Sequence, residues 1–238
     1  MMKRFNIFLS LVLVFVAILS TEARANYTYG FGAISNNSGV SSTMAQQLSV
    51  EVENMDANHQ VKFIFKNDIS PYTGSLDGVI TDVYFDDGTL LGISSVDNSY
   101  IGTLFAQPAT PGNLPEGNTL TVPFVTTADF SADSSSPIIV NGAGPGEMVG
   151  IVFDLQATTR DGDGNATAWF NYSDVIAAIN LGFNDPAELG SLRLGMRIQN
   201  LGDGNAYSDA FVMTPIPATI LLGLLGLGMG GLKLRKSI

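Results

Sequence analysis

The sequence predicts an all-β fold: an antiparallel β-sandwich of jelly-roll type with one short helix, flanked by an N-terminal signal helix and a C-terminal transmembrane helix. Three observations carry this expectation. Apolar and polar residues alternate with period two in segment after segment between residues 26 and 213. Clusters of Gly, Asn, Asp and Pro separate those segments at the spacing of turns. Each end of the chain carries an uncharged apolar run with basic residues beside it.

At the start, Lys3 and Arg4 precede an apolar run from Ile7 to Leu19 broken only by Ser10, and Ala23-Arg24-Ala25 follows. A basic region, an apolar stretch and small residues at Ala23 and Ala25 are the three parts of a secretory leader. Signal peptidase is therefore expected to cut before Asn26, making residues 1–25 a signal peptide. The run is short for a helix spanning a bilayer, which needs about 20 apolar residues, so a cleaved leader fits better than a retained anchor.

The first strand pair follows. Leu48, Val50 and Val52 alternate with Ser49, Glu51 and Glu53, and past Asp56-Ala57-Asn58 the residues Val61, Phe63 and Phe65 alternate with Lys62 and Lys66. This is an antiparallel hairpin with one wet face. Val79 to Phe85 forms a further strand, stopped by Asp86-Asp87-Gly88 and followed by Leu90 to Ile93. Residues 107–118, rich in Pro, Gly and Asn, read as a long loop. Leu120 to Val125 reads as a strand at an edge or bulge, because Pro123 interrupts it. Met148 to Leu155 comes after a turn over Gly142 to Gly146. Leu192, Leu194, Met196 and Ile198 are expected to face the core while Arg193 and Arg197 face water. Tyr207 to Val212 closes the sheet. One helix interrupts this series: Ser173 caps it, Asp174 suits its positive end, Val175, Ile176 and Ile179 form its apolar side, and Gly182 ends it.

From Pro217 to Leu232 there is no charged residue, and Lys233, Arg235 and Lys236 follow. This run is expected to cross a membrane with its basic end in the cytoplasm, leaving the β domain outside. Its glycines are tolerated in lipid. Residues 26–213 thus form an extracytoplasmic domain and residues 214–238 a membrane-sorting tail.

The whole chain carries a net charge of −11. Six of its eleven basic residues lie in the two ends, leaving five against twenty-one acidic residues in the domain, about −16. Such a surface repels nucleic acid and anionic lipid, and suits divalent cations, cationic surfaces or neutral glycans; solubility alone is an equal explanation. There is no cysteine, which excludes disulfides, thiolate metal sites and a cysteine nucleophile.

Asp161-Gly162-Asp163-Gly164-Asn165 places oxygen ligands at alternate positions, as a calcium loop does, which makes Asp161, Asp163 and Asn165 a candidate Ca2+ site. The EF-hand pattern fails at Ala166 and Tyr172, and Gly-Asp-Gly-Asn-Ala recurs at Gly202 to Ala206, so plain hairpin turns explain both copies as well. His59, the one histidine, lies in a polar turn and reads as surface decoration. No nucleophile elbow, zinc-protease helix or phosphate loop is present, and among so many acidic residues some carboxylates lie at a glycosidase spacing by chance. An enzyme is not expected. Trp169, Phe170 and Tyr172 are either a sugar-stacking platform or core aromatics.

The tail carries a resemblance. Thr214-Pro215-Ile216-Pro217-Ala218-Thr219, the Gly/Leu stretch and the terminal basic cluster resemble the PEP-CTERM sorting signal, in a variant with Ile216 where the commonest form has glutamate. Pro215, Ile216, Pro217 and Ala218 match the motif, and the similarity covers about the last 25 residues. The segments Thr81 to Gly88 and Ile198 to Leu201 look more loosely like the surface domains that bear such tails. The resemblance implies an exosortase-type transpeptidase or protease as partner and a Gram-negative host making extracellular polysaccharide. It further implies passage through the inner membrane to the cell surface or matrix, in association with exopolysaccharide or biofilm. A calcium-dependent carbohydrate-binding or adhesive module is the alternative reading.

Overall fold

The computed structural model describes residues 26–69, 76–87 and 90–215. Twelve strands are present among them: β1 (Tyr27–Ala33), β2 (Leu48–Met55), β3 (Gln60–Asn67), β4 (Val79–Asp86), β5 (Leu90–Asp97), β6 (Phe105–Ala106), β7 (Ser131–Ser134), β8 (Met148–Leu155), β9 (Ala157–Arg160), β10 (Ala166–Trp169), β11 (Arg193–Leu201) and β12 (Tyr207–Thr214). Three α-helices accompany them: α1 (Ser41–Met44), α2 (Ile138–Asn141) and α3 (Tyr172–Asn184). The expected signal helix and the apolar run of residues 217–232 lie outside the described residues. Among the described residues no helix is long and apolar enough to cross a membrane.

The all-β, antiparallel expectation holds, but the layers differ. Hydrogen bonding links ten strands into one sheet, in the order β5-β8-β3-β2-β1-β12-β11-β4-β7-β6, with β9 and β10 forming a separate hairpin. The sheet curls until it is nearly a barrel. Its two edges are brought together by Asn98, whose side chain donates to the Phe105 carbonyl (3.0 Å) and accepts from the Phe105 N–H (2.7 Å). Alternation fixes which side of a strand is apolar, not whether the apolar sides meet as two sheets or one curled sheet, so the sequence could not decide between them.

The interior is filled from opposite walls. Phe85 of β4 meets Phe153 of β8 edge-on at 4.6 Å and Phe63 of β3 at 5.2 Å, and Phe63, Phe65, Phe85 and Phe153 are fully buried. Such edge-to-face pairs contribute roughly 0.5–1.5 kcal/mol each beyond the area they bury. Helix α3 adds Val175, Ile176 and Ile179 to this core. A smaller cluster lies on the outer side of the wall, where Tyr84 and Ala210 pack against Leu114 and Phe124.

Four expectations about elements need correction. Leu120 to Val125 is not a strand; residues 107–126 run as a strap across the outer face of β4, β11 and β12. Asn171, not Ser173, caps α3: its side chain accepts from the Ser173 N–H at 2.8 Å, while Asp174 accepts from the Asn171 N–H at 2.9 Å. Gly182 lies inside the helix, where a Cβ would stand 2.4 Å from the Leu192 carbonyl oxygen, so the glycine serves close packing rather than termination. Finally, Leu192, Leu194, Met196 and Ile198 are buried as expected and Arg197 is partly exposed, but Arg193 is only 8% exposed. The strap covers it. Its guanidinium donates to Asp86 and to the carbonyls of Val122 (2.9 Å) and Pro123 (2.5 Å), so the charge is buried with partners.

Candidate functional site

The end of the barrel where β1 begins is also where β12 finishes. The two strands are antiparallel neighbours, with Gly30 opposite Thr214, so Asn26 and Pro215 leave the fold at the same end of the barrel, Asn26 lying three residues further out along β1 than the position opposite Pro215. Both residues are exposed. Asn26 donates to Glu51 at 2.5 Å, and Glu51 also accepts from Lys66 at 2.5 Å. The Lys66 ammonium first, then the Asn26 amide, hold Glu51 below the usual carboxylate range. Of the residues assigned to processing and membrane stop, Asn26 and Pro215 are the described pair. Ala23, Ala25, Ile216, Pro217, Ala218, Lys233, Arg235 and Lys236 lie outside the described residues.

Asp161, Asp163 and Asn165 sit in the loop joining β9 to β10, and all three are exposed. The Asp161 carboxylate accepts from the N–H groups of Asp163 (3.0 Å) and Asn165 (2.8 Å) and from the Asn165 side-chain amide (3.2 Å). These bonds, the Asn165 N–H foremost, lower its pKa. Both Asp161 oxygens are thus engaged by the loop's own donors, the arrangement of an Asx turn. Among the described residues no group of three or more His, Asp or Glu is placed to hold a metal.

The aromatic residues near this loop do not share a platform. Trp169 lies under the His59 ring, stacked at 3.8 Å and 8°. Tyr172 is buried, its hydroxyl donating to the Val52 carbonyl at 2.8 Å, and Phe170 packs on the main core. They join the β9–β10 hairpin and α3 to the barrel end.

Sequence reasoning missed a polar row on the outer wall. Register places Arg197 of β11 and Asp133 of β7 on either side of Asp82 in β4. Asp82 is 2% exposed, and burial pushes its pKa up to about 6 against the Thr81 hydroxyl, which donates to it at 2.7 Å, and the Arg197 charge. Burial likewise pushes up the Tyr84 phenol, which donates to the Pro111 carbonyl at 3.1 Å. Asp133 accepts from the Thr110 N–H at 3.1 Å, and Ser131 from the Ala109 N–H at 3.1 Å. A raised carboxylate beside a phenol and a guanidinium resembles acid–base machinery, but the strap lies over it, and three of these bonds fasten the strap. The alternation Thr81, Asp82, Val83 carried the one available signal: Asp82 is an unneutralised charge in an apolar run. Compared with family models, curated proteins and solved structures, the chain matches none.

Proposed function

We propose that the chain is an exported, non-enzymatic protein of the Gram-negative cell surface or extracellular matrix, sorted by its C-terminal tail and associated with exopolysaccharide. One observation supports this most directly. Among the described residues the first strand begins at Tyr27 and the last ends at Thr214, and the cuts expected before Asn26 and near Pro217 interrupt neither strand. Among the described residues the two core clusters run from Tyr29 to Met213, so cuts before Asn26 and near Pro217 leave those clusters whole. Because both ends leave together, a membrane-held tail keeps one end of the barrel at the bilayer and turns the other away from it.

Substituting Pro215 and Pro217 together by alanine separates processing from simple anchoring. Proline lacks an N–H and keeps this junction extended, which a peptidase needs and a plain anchor does not. Processing predicts accumulation of a full-length membrane-bound form in the double variant; anchoring predicts no change. Mass spectrometry of the mature protein checks the native junctions: an N-terminus at Asn26 and loss of the basic end are expected, whereas an intact Ile238 rules out tail processing.

A further inference from the structure

The curled sheet is clasped at one point and parts beside it. Asn98, just past β5, holds Phe105 of β6, so the two sheet edges meet there. From that clasp β5 runs back toward Leu90, while the other edge continues from Phe105 toward Pro108. Among the described residues no backbone hydrogen bond joins these two stretches beyond the clasp. The result is an opening of about 450 Å³, walled by Gly92 and Ile93 on one side and by Gln107, Asp129 and Phe130 on the other. That volume lies within the range of small-molecule sites.

The walls offer three kinds of group. Phe130 packs on Phe153, with ring centroids 5.3 Å apart, but is only partly buried and also lines the opening. Asp129 is exposed, in a turn where the Phe130 N–H donates to the Thr127 carbonyl at 2.9 Å. Among the described residues no hydrogen bond engages the Asp129 carboxylate or the Gln107 amide. The contrast is with Asp161, whose oxygens are taken up by its own loop. Finally, β5 bonds only to β8, so the N–H and C=O groups on its far side face the seam.

This set of groups selects among ligands. An anion meets the Asp129 carboxylate and a domain of about −16. A divalent cation lacks ligands, since among the described residues no three acidic or imidazole side chains are placed to hold one. A peptide strand needs an even ladder. Here β5 is bulged between Leu90 and Gly92 and again between Ile93 and Ser95, on either side of the stretch that lines the opening. A fatty chain finds one ring and one isoleucine beside a carboxylate and an amide. A pyranose uses all the groups together: its hydroxyls pair with a carboxylate, an amide and backbone groups, and its C–H face lies on an aromatic ring.

We infer that this seam binds one pyranose unit of a neutral polysaccharide. Asp129 accepts from its hydroxyls, Gln107 bonds a further hydroxyl, and Phe130 lies against its C–H face. The inference deepens the exopolysaccharide reading above and rests on it for the source of the sugar.

The test titrates full-length chain with the methyl glycosides of glucose, galactose, mannose and N-acetylglucosamine, followed by saturation-transfer NMR and calorimetry. At least one glycoside is expected to bind. Gly92→Leu should abolish that binding. A Cβ at Gly92 meets nothing within 4 Å and the backbone there is not left-handed, so the new side chain enters open space without disturbing the strand. Asp129→Asn should weaken binding about tenfold, the worth of one hydrogen bond to a charged group. Asparagine tolerates the left-handed backbone at this position (φ 65°), so the turn survives the change. Asp161→Ala, in the separate hairpin, should leave binding unchanged. So should high salt, whereas a basic ligand seated on Asp129 would be screened away. Failure of all four glycosides, or stronger binding of lysine methyl ester than of any of them, would overturn the inference. Binding that survives Gly92→Leu would overturn the seam as the site and leave the polysaccharide reading standing. An unprocessed tail, by contrast, counts against the sorting reading alone, because sugar binding is measured on the intact chain.

Discussion

The two halves of the barrel wall treat polar residues differently. Along β2 the burial follows the sequence: Leu48, Val50 and Val52 are buried, while Ser49, Glu51 and Glu53 are partly exposed. Across the barrel, β4 is buried at every position from Val79 to Phe85, and β11 buries Arg193 to Met196 without a break. The difference is the strap. On the bare half the outer face meets water, and charges pair there loosely, as Lys66 does with Glu51. On the covered half the strap brings Leu114 and Phe124 onto the outer face, and Asp82, Tyr84 and Arg193 are buried there. Gly195 makes room for that approach: a Cβ there would stand 2.7 Å from Leu114. The lesson is that alternation reports faces, while burial depends on what crosses them.

Removing one cation from each half sharpens the contrast. Arg193→Ala leaves Asp86 and two strap carbonyls without their donor in a covered site, and is expected to lower stability by about 3 kcal/mol. Lys66→Ala breaks an ion pair open to water and should cost under about 1 kcal/mol. Urea unfolding of both variants measures the difference, and equal losses would mean that the strap does not shield the site.

Acid titration should separate the halves by sign. Asp82 has a raised folded pKa of about 6, so its contribution is fully present below its ordinary value of 3.8 and is lost as pH rises through 6. Asp97, bonded first to Lys62 on the bare half, is lowered to about 2, so its contribution is present above 3.8 and is lost as pH falls toward 2. Asp82→Asn should therefore flatten the fall in melting temperature between pH 4 and 6, and Asp97→Asn should blunt the loss below pH 4. Thermal melts at half-unit pH intervals check both. An unchanged slope between pH 4 and 6 in the Asp82 variant would show that its carboxylate is already ionised there.

The smallest effect belongs to the hairpin that stands off both halves. Asp161→Ala removes three hydrogen bonds from a solvent-exposed turn and should shift the urea midpoint less than Lys66→Ala does. Millimolar calcium should leave the melting temperature of the unmodified protein unchanged if the loop is only a turn. A rise that disappears when Asp161 and Asp163 become alanine would restore the calcium reading, since a ligand bound to the native state raises its stability.

The hairpin of β2 and β3 and the apolar side of α3 were legible because each presents a face to water, and a period of two or 3.6 then marks that face; β8, buried from Val149 to Phe153, was legible as a short apolar run. The strap was half legible. Its Pro, Gly and Asn content announces a loop up to residue 118, while Leu120, Val122, Phe124 and Val125 imitate a strand because they too are apolar, serving to cover rather than to pair. Asp82 could be seen as an oddity in an apolar run, but not the Arg197 and Asp133 beside it, which lie 115 and 51 residues away along the chain.

By itself the sequence determined the antiparallel β class and the inward row of β11 from Leu194 to Ile198. These are local properties, set by side-chain period, turn chemistry and composition within a few residues. Tertiary structure alone decided that ten strands join one curled sheet, that Arg193 is buried with partners, that Trp169 is stacked by His59, and that Gly92, Gln107, Asp129 and Phe130 line one opening at the seam. Each of those depends on contacts between segments far apart in the chain, and no pattern within a segment encodes which distant segment will cover it.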